Sequence, residues 1–186
     1  MTEEIQKTFD QLQAGNTILY PTDTVWGLGC DATNPEAVQK IYTLKNREES
    51  KALICLVSDT RMLERFIEDI PEVAYDLLEA ADRPTTIIYD NPVGIAKNLV
   101  AADNTLAIRI PNDEFCQKLI RKFKRPIVST SANISGQPTP KSYQEISADI
   151  RNGVDYVVNL HSEKKNSKPS TIIQLRANGE IKIIRV

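Results

Sequence analysis

Two short apolar runs in this chain, Thr17 to Tyr20 and Pro126 to Val128, each break into a stretch dense in hydroxyls and glycine. The first stretch is Tyr20-Pro21-Thr22-Asp23-Thr24-Val25-Trp26-Gly27-Leu28-Gly29-Cys30-Asp31-Ala32. The second is Ser129-Thr130-Ser131-Ala132-Asn133-Ile134-Ser135-Gly136. The runs read as strands and the stretches as turns at their ends, and strand ends are where α/β folds usually hold ligands. Between them lies a cationic cluster, Lys45, Arg47 and Lys51, with only Glu48 and Glu49 nearby as acids. Hydroxyls beside fixed cations suit an anionic ligand, a phosphate above all.

The elements around these stretches follow from spacing. Ile5, Phe9 and Leu12 fall on one helical face, and Gly15 ends that helix. Asn34-Pro35 supplies an N-cap and a first helical position for a helix with Ala37, Val38, Ile41, Tyr42 and Leu44 on its apolar face. Leu53 to Val57, apolar throughout, reads as a buried strand. Asp59 caps a short helix through Phe66, and Pro71 opens another to about Ala80. Strands are expected at Thr85–Tyr89, Thr105–Ile110, Pro126–Thr130 and Val154–Val158. Asn112-Asp113 starts a helix carrying Phe115, Leu119, Ile120 and Phe123, and Ser142-Tyr143-Gln144-Glu145 has the form of a capping box. Asn178-Gly179, between Thr171–Leu175 and Glu180–Arg185, predicts a type I′ hairpin. Strands and helices mix without a strict βαβ repeat, which favours an α/β sheet of mixed direction over a Rossmann arrangement. His161 to Pro169, polar and lysine-rich, is the one linker-like stretch.

Length and composition narrow the function. The 186 residues fit one domain, spanning 1–186, with 41% hydrophobic and 26% charged residues. A net charge of −2 gives no global attraction to nucleic acid or anionic membrane. The three cysteines, Cys30, Cys55 and Cys116, form neither a metal pattern nor a disulfide framework, which points to a reducing compartment. Met1 to Gln13 is acidic and amphipathic rather than a signal peptide, and no apolar run would span a bilayer. A soluble cytoplasmic protein is expected. There is no P-loop, no Gly-x-Gly-x-x-Gly and no spacing for a protein-held metal. A serine-hydrolase reading fails as well, because there is no Gly-x-Ser-x-Gly elbow and the single histidine, His161, sits in a polar loop.

Each candidate also has a plain structural reading. Thr22, Asp23 and Thr24 fit a polar turn whose geometry Pro21 sets, and Trp26 fits core or rim packing. Lys45 and Arg47 fit a solvated helix end that complements the macrodipole. Arg109 fits an outward strand position, and Ser129, Ser131 and Asn133 fit strand-end hydrogen bonding. The basic patch Lys118, Arg121, Lys122, Lys124 and Arg125 reads as a solvated helix face, with RNA contact as the sharper alternative.

Four motifs in order change the balance. The chain resembles the YrdC/Sua5 family, the L-threonylcarbamoyladenylate synthases, from about Gly15 to Arg185. The family's Tyr-Pro-Thr-Glu-Thr-Val-Tyr-Gly-Leu-Gly is matched here with Asp23 for Glu and Trp26 for Tyr. Its Lys-x-Arg is Lys45-Asn46-Arg47, its Arg-x-Pro is Arg109-Ile110-Pro111, and its Ser-x-Asn is Ser131-Ala132-Asn133. Glu48 departs from the proline many members carry, and Arg83-Pro84 departs from Pro-Gly-Pro; Arg83 reads as a surface arginine or an extra anion contact.

The resemblance implies a single twisted mixed sheet with flanking helices and a concave basic face. It implies formation of threonylcarbamoyl-AMP and pyrophosphate from threonine, bicarbonate or CO2, and ATP with Mg2+, for modifying an adenosine of tRNA. It assigns Lys45 and Arg47 as the catalytic pair on the phosphates, joined at ATP by Lys51, Ser131, Asn133 and Arg185. It assigns Thr24, Arg109, Ser129, Ser170 and Thr171 to threonine. Implied partners are tRNA or double-stranded RNA, and proteins that transfer the threonylcarbamoyl group, since the chain is about as long as the family's catalytic domain alone. Two other readings stay open: a YciO-like RNA- or nucleotide-binding protein without threonine-dependent synthesis, and a related carbamoyl-adenylate former.

Overall fold

The computed structural model describes residues 1–48, 53–160 and 169–186. Helix α1 spans Thr2–Gln13 and buries Ile5, Thr8 and Leu12. Helix α2 spans Pro35–Lys45; the Asn34 side chain accepts from the amides of Glu36 and Ala37, as its sequence position predicts. Short helices α3 (Thr60–Leu63, capped by Asp59) and α4 (Val73–Glu79) follow. Helix α5, Glu114–Phe123, is capped by Asp113 and turns Phe115, Leu119, Ile120 and Phe123 inward. Helix α6 is Ala148–Gly153. No helix among the described residues is long and apolar enough to cross a membrane.

The strands are β1 (Ile18–Tyr20), β2 (Gly27–Gly29), β3 (Ile54–Leu56), β4 (Thr85–Asp90), β5 (Thr105–Arg109), β6 (Ile127–Ser131), β7 (Tyr156–Val157), β8 (Thr171–Leu175) and β9 (Ile181–Arg185). They form one sheet in the order β7-β1-β2-β6-β3-β5-β4-β8-β9. The pairs β1–β7, β3–β5 and β4–β8 are parallel and the other five antiparallel, so the sheet is mixed. The fold is therefore α/β with flanking helices, as expected.

The two faces of the central strands differ. Val128, Cys55, Ile108 and Ile87 lie in register across β6, β3, β5 and β4, and all are buried. One residue along, Ile54, Ala107, Ile88 and Gln174 are only half-buried. Because side chains alternate along a strand, this second row shares its half-open face with Ser129 and Ser131 on β6, Arg109 on β5 and Thr86 on β4. The half-open face is where the candidate residues converge.

Four local expectations are revised. Strand β2 falls where the glycines were read as a turn. A Cβ on Gly29 would lie 2.6 Å from the Val128 carbonyl oxygen and 2.7 Å from the Tyr20 ring, so glycine here permits close strand approach. Ser142 does not cap a helix: Tyr143–Glu145 is a 3-10 turn, the Glu145 carboxylate accepts from the Lys141 amide, and Ser147 caps α6 instead. The strand expected over Val154–Val158 contracts to the two residues of β7, because α6 runs to Gly153. The β8–β9 hairpin forms, but only Gly179 of the Asn-Gly pair takes a positive φ (+86°). The Gly179 amide donates to Arg176 and the Arg176 amide to Glu180, closing a three-residue loop in place of a type I′ turn.

Candidate active site

Strands β1 and β2 are joined by Pro21 to Trp26, and this connection folds over the end of β5. Thr22 and Thr24 are both buried, with their hydroxyl oxygens 3.0 Å apart. The Thr22 hydroxyl donates to the Val25 carbonyl at 2.8 Å and accepts from the Thr24 amide at 3.1 Å. Asp23, between them, takes Nη1 of Arg109 on one carboxylate oxygen and the Asn112 amide, at 3.0 Å, on the other. Trp26 is 8% exposed and stacks at a tilt on Tyr143, with ring centroids 5.2 Å apart, so it packs as core or rim.

Arg109 closes β5 and is 3% exposed. Its Nη1 is paired with Asp23, and its Nη2 reaches the Thr24 hydroxyl at 3.4 Å. Among the described residues its Nε is buried without a partner. A buried donor left unmatched is expensive, and the Nε–Nη2 edge of a guanidinium has the geometry of a carboxylate receptor. Beside it in register stands Thr86 of β4, whose hydroxyl meets Ser170 Oγ at 2.8 Å, both buried. Arg185, at the end of β9, donates from Nε and Nη2 to the Ser170 carbonyl at 3.1 and 2.8 Å. Strand alternation faces Thr171 away: Ile172 is in register with Thr86 and Arg109, so Thr171 lies on the opposite side of β8, where its hydroxyl is buried with no partner among the described residues. The structure thus joins Thr24, Arg109 and Ser170 on one face and separates Thr171 from them.

At the other end of the face, Lys45 terminates α2 and is 1% exposed. Its ammonium donates to the carbonyls of Ser131 and Asn133, the latter at 2.6 Å, and its own carbonyl accepts from the Ser135 amide at 2.8 Å. Burial, and secondarily the charge of Arg47, lowers its pKa to about 8. Arg47 is half-buried and follows the left-handed C-cap Asn46. Ser129 is buried and adjoins Tyr20, while the Ser131 hydroxyl lies at the half-exposed end of β6. The Asn133 amide nitrogen holds the Ile134 and Gln137 carbonyls, and its Oδ1 is buried with no partner among the described residues. Glu48 is exposed; Lys51, Glu49 and His161 lie outside the described residues.

The remaining candidates have structural roles. Arg83 is exposed and pairs with Asp82 at 3.3 Å. Much of the α5 basic patch is internally engaged: Lys118 with Glu114, Arg121 with Asp59, Arg125 with Asp31, and Lys122 over the Phe9 ring. A cleft of about 380 Å³ beside α2 is lined by Lys40 and Asp155, which pair with each other at 3.6 Å, and lies apart from the face described above. The sequence marks Thr22 and Asp23 with Thr24 as one candidate stretch, with no role of their own, since hydroxyls and Asp in turns usually serve the backbone. It does not single out Thr86 as a site residue; the position of Thr86 beside Arg109 and Ser170 is a product of strand register.

A family model described as "Telomere recombination" (Sua5, YciO, YrdC) matches residues 10–186. The chain is 34% identical over 164 residues to the threonylcarbamoyl-AMP synthase of Pseudoalteromonas translucida, covering 87% of each. It is 33% identical over 187 residues to a putative threonylcarbamoyl-AMP synthase of Methanocaldococcus jannaschii, covering 97% of this chain and 86% of that one. Among solved structures, Pyrococcus abyssi Sua5 complexed with L-threonine superposes with a TM-score of 0.85 at 30% identity, over 92% of this chain and 50% of that one. The chain thus spans about half the length of that protein. E. coli YciO superposes at 0.86 with 22% identity, over 100% of this chain and 89% of that one, a likeness of fold.

Proposed function

The chain belongs to the Sua5/YciO/YrdC family, and on that premise we propose that it is an L-threonylcarbamoyladenylate synthase. It would join threonine, bicarbonate or CO2, and ATP into threonylcarbamoyl-AMP and pyrophosphate. The relatives' names support this reading. Within the molecule, the observation that carries it is Arg109, buried beside Thr24 with Nε unmatched. Such a group suits a small molecule with a carboxylate on the guanidinium edge.

The chemistry asks for positioning more than for proton transfer. The threonine amine attacks CO2 and loses a proton, giving a carbamate; a carbamate oxygen then attacks the α-phosphorus of ATP, and the bond to pyrophosphate breaks. Arg109 holds the threonine carboxylate, with Thr24, Ser129 and Ser170 around the rest of the amino acid. Lys45, Arg47, Lys51 and Arg185 neutralise phosphate charge as it redistributes, while Ser131 and Asn133 hold the nucleotide. Lys45, with a pKa near 8, remains largely an ammonium at neutral pH. Mg2+ would arrive with ATP as part of the substrate rather than in an all-protein cage. The product would pass to tRNA through proteins that transfer the threonylcarbamoyl group, in the cytoplasm, where three free, buried cysteines would stay reduced.

The test is pyrophosphate release from ATP and bicarbonate, with and without threonine. Release that depends on threonine, and not on alanine, is the expected result. ATP or RNA binding without release would move the chain to the YciO-like, non-synthesising branch.

A further inference from the structure

The hydroxyl proton of Thr22 has two acceptors in reach, the Val25 carbonyl oxygen at 2.8 Å and the Thr24 hydroxyl oxygen at 3.0 Å; the carbonyl can only accept and is the nearer, so it takes the proton. A threonine hydroxyl has a single proton and two lone pairs. With its proton committed, Thr22 can only accept at its 3.0 Å contact with Thr24, so Thr24 is the donor there. The Thr24 amide, at 3.1 Å, takes the second lone pair of Thr22. The Thr24 proton therefore points back into the loop, and its oxygen presents lone pairs to the pocket. Arg109 Nη2, at 3.4 Å, already approaches that oxygen as a donor. Both threonines are 6% exposed, which keeps bulk water from rearranging the pair.

We propose that Thr22 is a positioning residue for substrate choice: it locks the Thr24 hydroxyl as an acceptor, and that acceptor takes the β-hydroxyl proton of the amino acid. The proposal rests on the threonine-using synthase reading. An amino acid with a β-hydroxyl satisfies the Thr24 oxygen. One with a methylene or a fluorine at the same place leaves that oxygen buried with only the long 3.4 Å approach of Arg109 Nη2 as a donor, and a site built for a hydrogen bond rejects such an analogue. Were Thr24 free to rotate, its hydroxyl could turn to donate elsewhere, and much of the penalty against the analogue would vanish.

The experiment measures pyrophosphate release by the full chain with threonine, 2-aminobutyrate and 2-amino-3-fluorobutanoate, for the wild type, Thr22→Val and Thr22→Ser. Absence of threonine-dependent release by the wild type overturns the synthase reading, and the proposal with it. With release present, the ratios decide the proposal alone. Thr22→Val is expected to lower the kcat/KM preference for threonine over 2-aminobutyrate about tenfold, the worth of one good hydrogen bond, through KM for threonine with KM for ATP unchanged. Thr22→Ser, which keeps the hydroxyl, is expected to restore the preference to within about twofold of the wild type. A Thr22→Val enzyme that loses activity with both amino acids in parallel, or keeps the wild-type ratio, overturns the proposal. Should Thr22→Val not fold, the wild type still decides. The fluorinated analogue, able to accept but not to donate, should serve no better than 2-aminobutyrate; turnover close to that of threonine overturns the proposal.

Discussion

The burial of Lys45 and its proposed role at phosphate pull in opposite directions with pH. Its folded pKa of about 8 lies below the usual lysine value, chiefly because of burial. Between pH 8 and about 10.5 the unfolded chain therefore binds the proton more readily than the folded one, and stability rises with pH across that window. Over the same range the ammonium is lost and its attraction for phosphate with it. We expect KM for ATP to climb above pH 8 while the melting temperature does not fall on Lys45's account; a flat ATP profile up to pH 10 would remove Lys45 from the phosphate site. Lys45 and Arg47 also differ as mutation targets. From sequence, alanine at either abolishes nucleotide use and leaves the fold intact. The intact fold is the part that burial revises for Lys45. Lys45→Ala also strands the Ser131 and Asn133 carbonyls, adding a stability loss of about 1–3 kcal/mol. Melting curves of the two variants separate the effects. At this scale the motifs revealed which residues matter, and what escaped them was partnership: nothing in the run Thr22-Asp23-Thr24 shows that its carboxylate meets an arginine 86 positions away.

Strand β2 decides how these residues meet. It pairs with β1 on one side and β6 on the other, setting Gly27 opposite Tyr20 and Ser131, and so brings the two hydroxyl-rich stretches together. Gly29 permits the approach, and Gly29→Ala should cost about 1–3 kcal/mol, a fall of several degrees in Tm for a chain of this size. Gly27→Ala meets only ordinary contacts, the nearest 3.5 Å away, and should melt near the wild type. Equal melting of both variants would show that β2 has room to shift. Helix starts at Asn34, Asp59 and Asp113 were readable because a cap is local, a side chain serving amides two or three residues on. Strand β2 was not, since Gly-Leu-Gly carries no alternation and one of its two pairing partners, β6, is distant in sequence. The Ser142 box shows the converse: the residues of a cap were present, but the chain makes only a 3-10 turn over Tyr143–Glu145, which ends at the extended, buried Ile146.

Across the whole molecule the sheet is asymmetric. One end is the two-residue β7; the other is β9, an edge strand with Ile181, Ile183 and Ile184 exposed at 44, 64 and 49%. An exposed apolar edge is a template for further strand pairing. Ile183→Lys should leave turnover and Tm unchanged while raising the concentration at which the protein stays monodisperse in light scattering. Loss of activity in that variant would mean instead that β9 must keep its packing for Arg185 to hold Ser170. The basic face of α5, by contrast, spends several of its cations on Glu114, Asp59 and Asp31, which leaves less charge for RNA than its composition suggests.

By itself the sequence determined the α/β class, most strands and helix starts, the family, and the set of cations and hydroxyls from which a site is drawn. Those properties depend on local spacing and residue type, which the chain states directly. Only the tertiary structure decided strand order, the acceptor direction of the Thr24 hydroxyl, the pairing of Asp23 with Arg109, and the separation of Thr171 from Ser170. These arise from long-range register and from the alternation of side chains across a sheet, where one residue of shift exchanges the two faces.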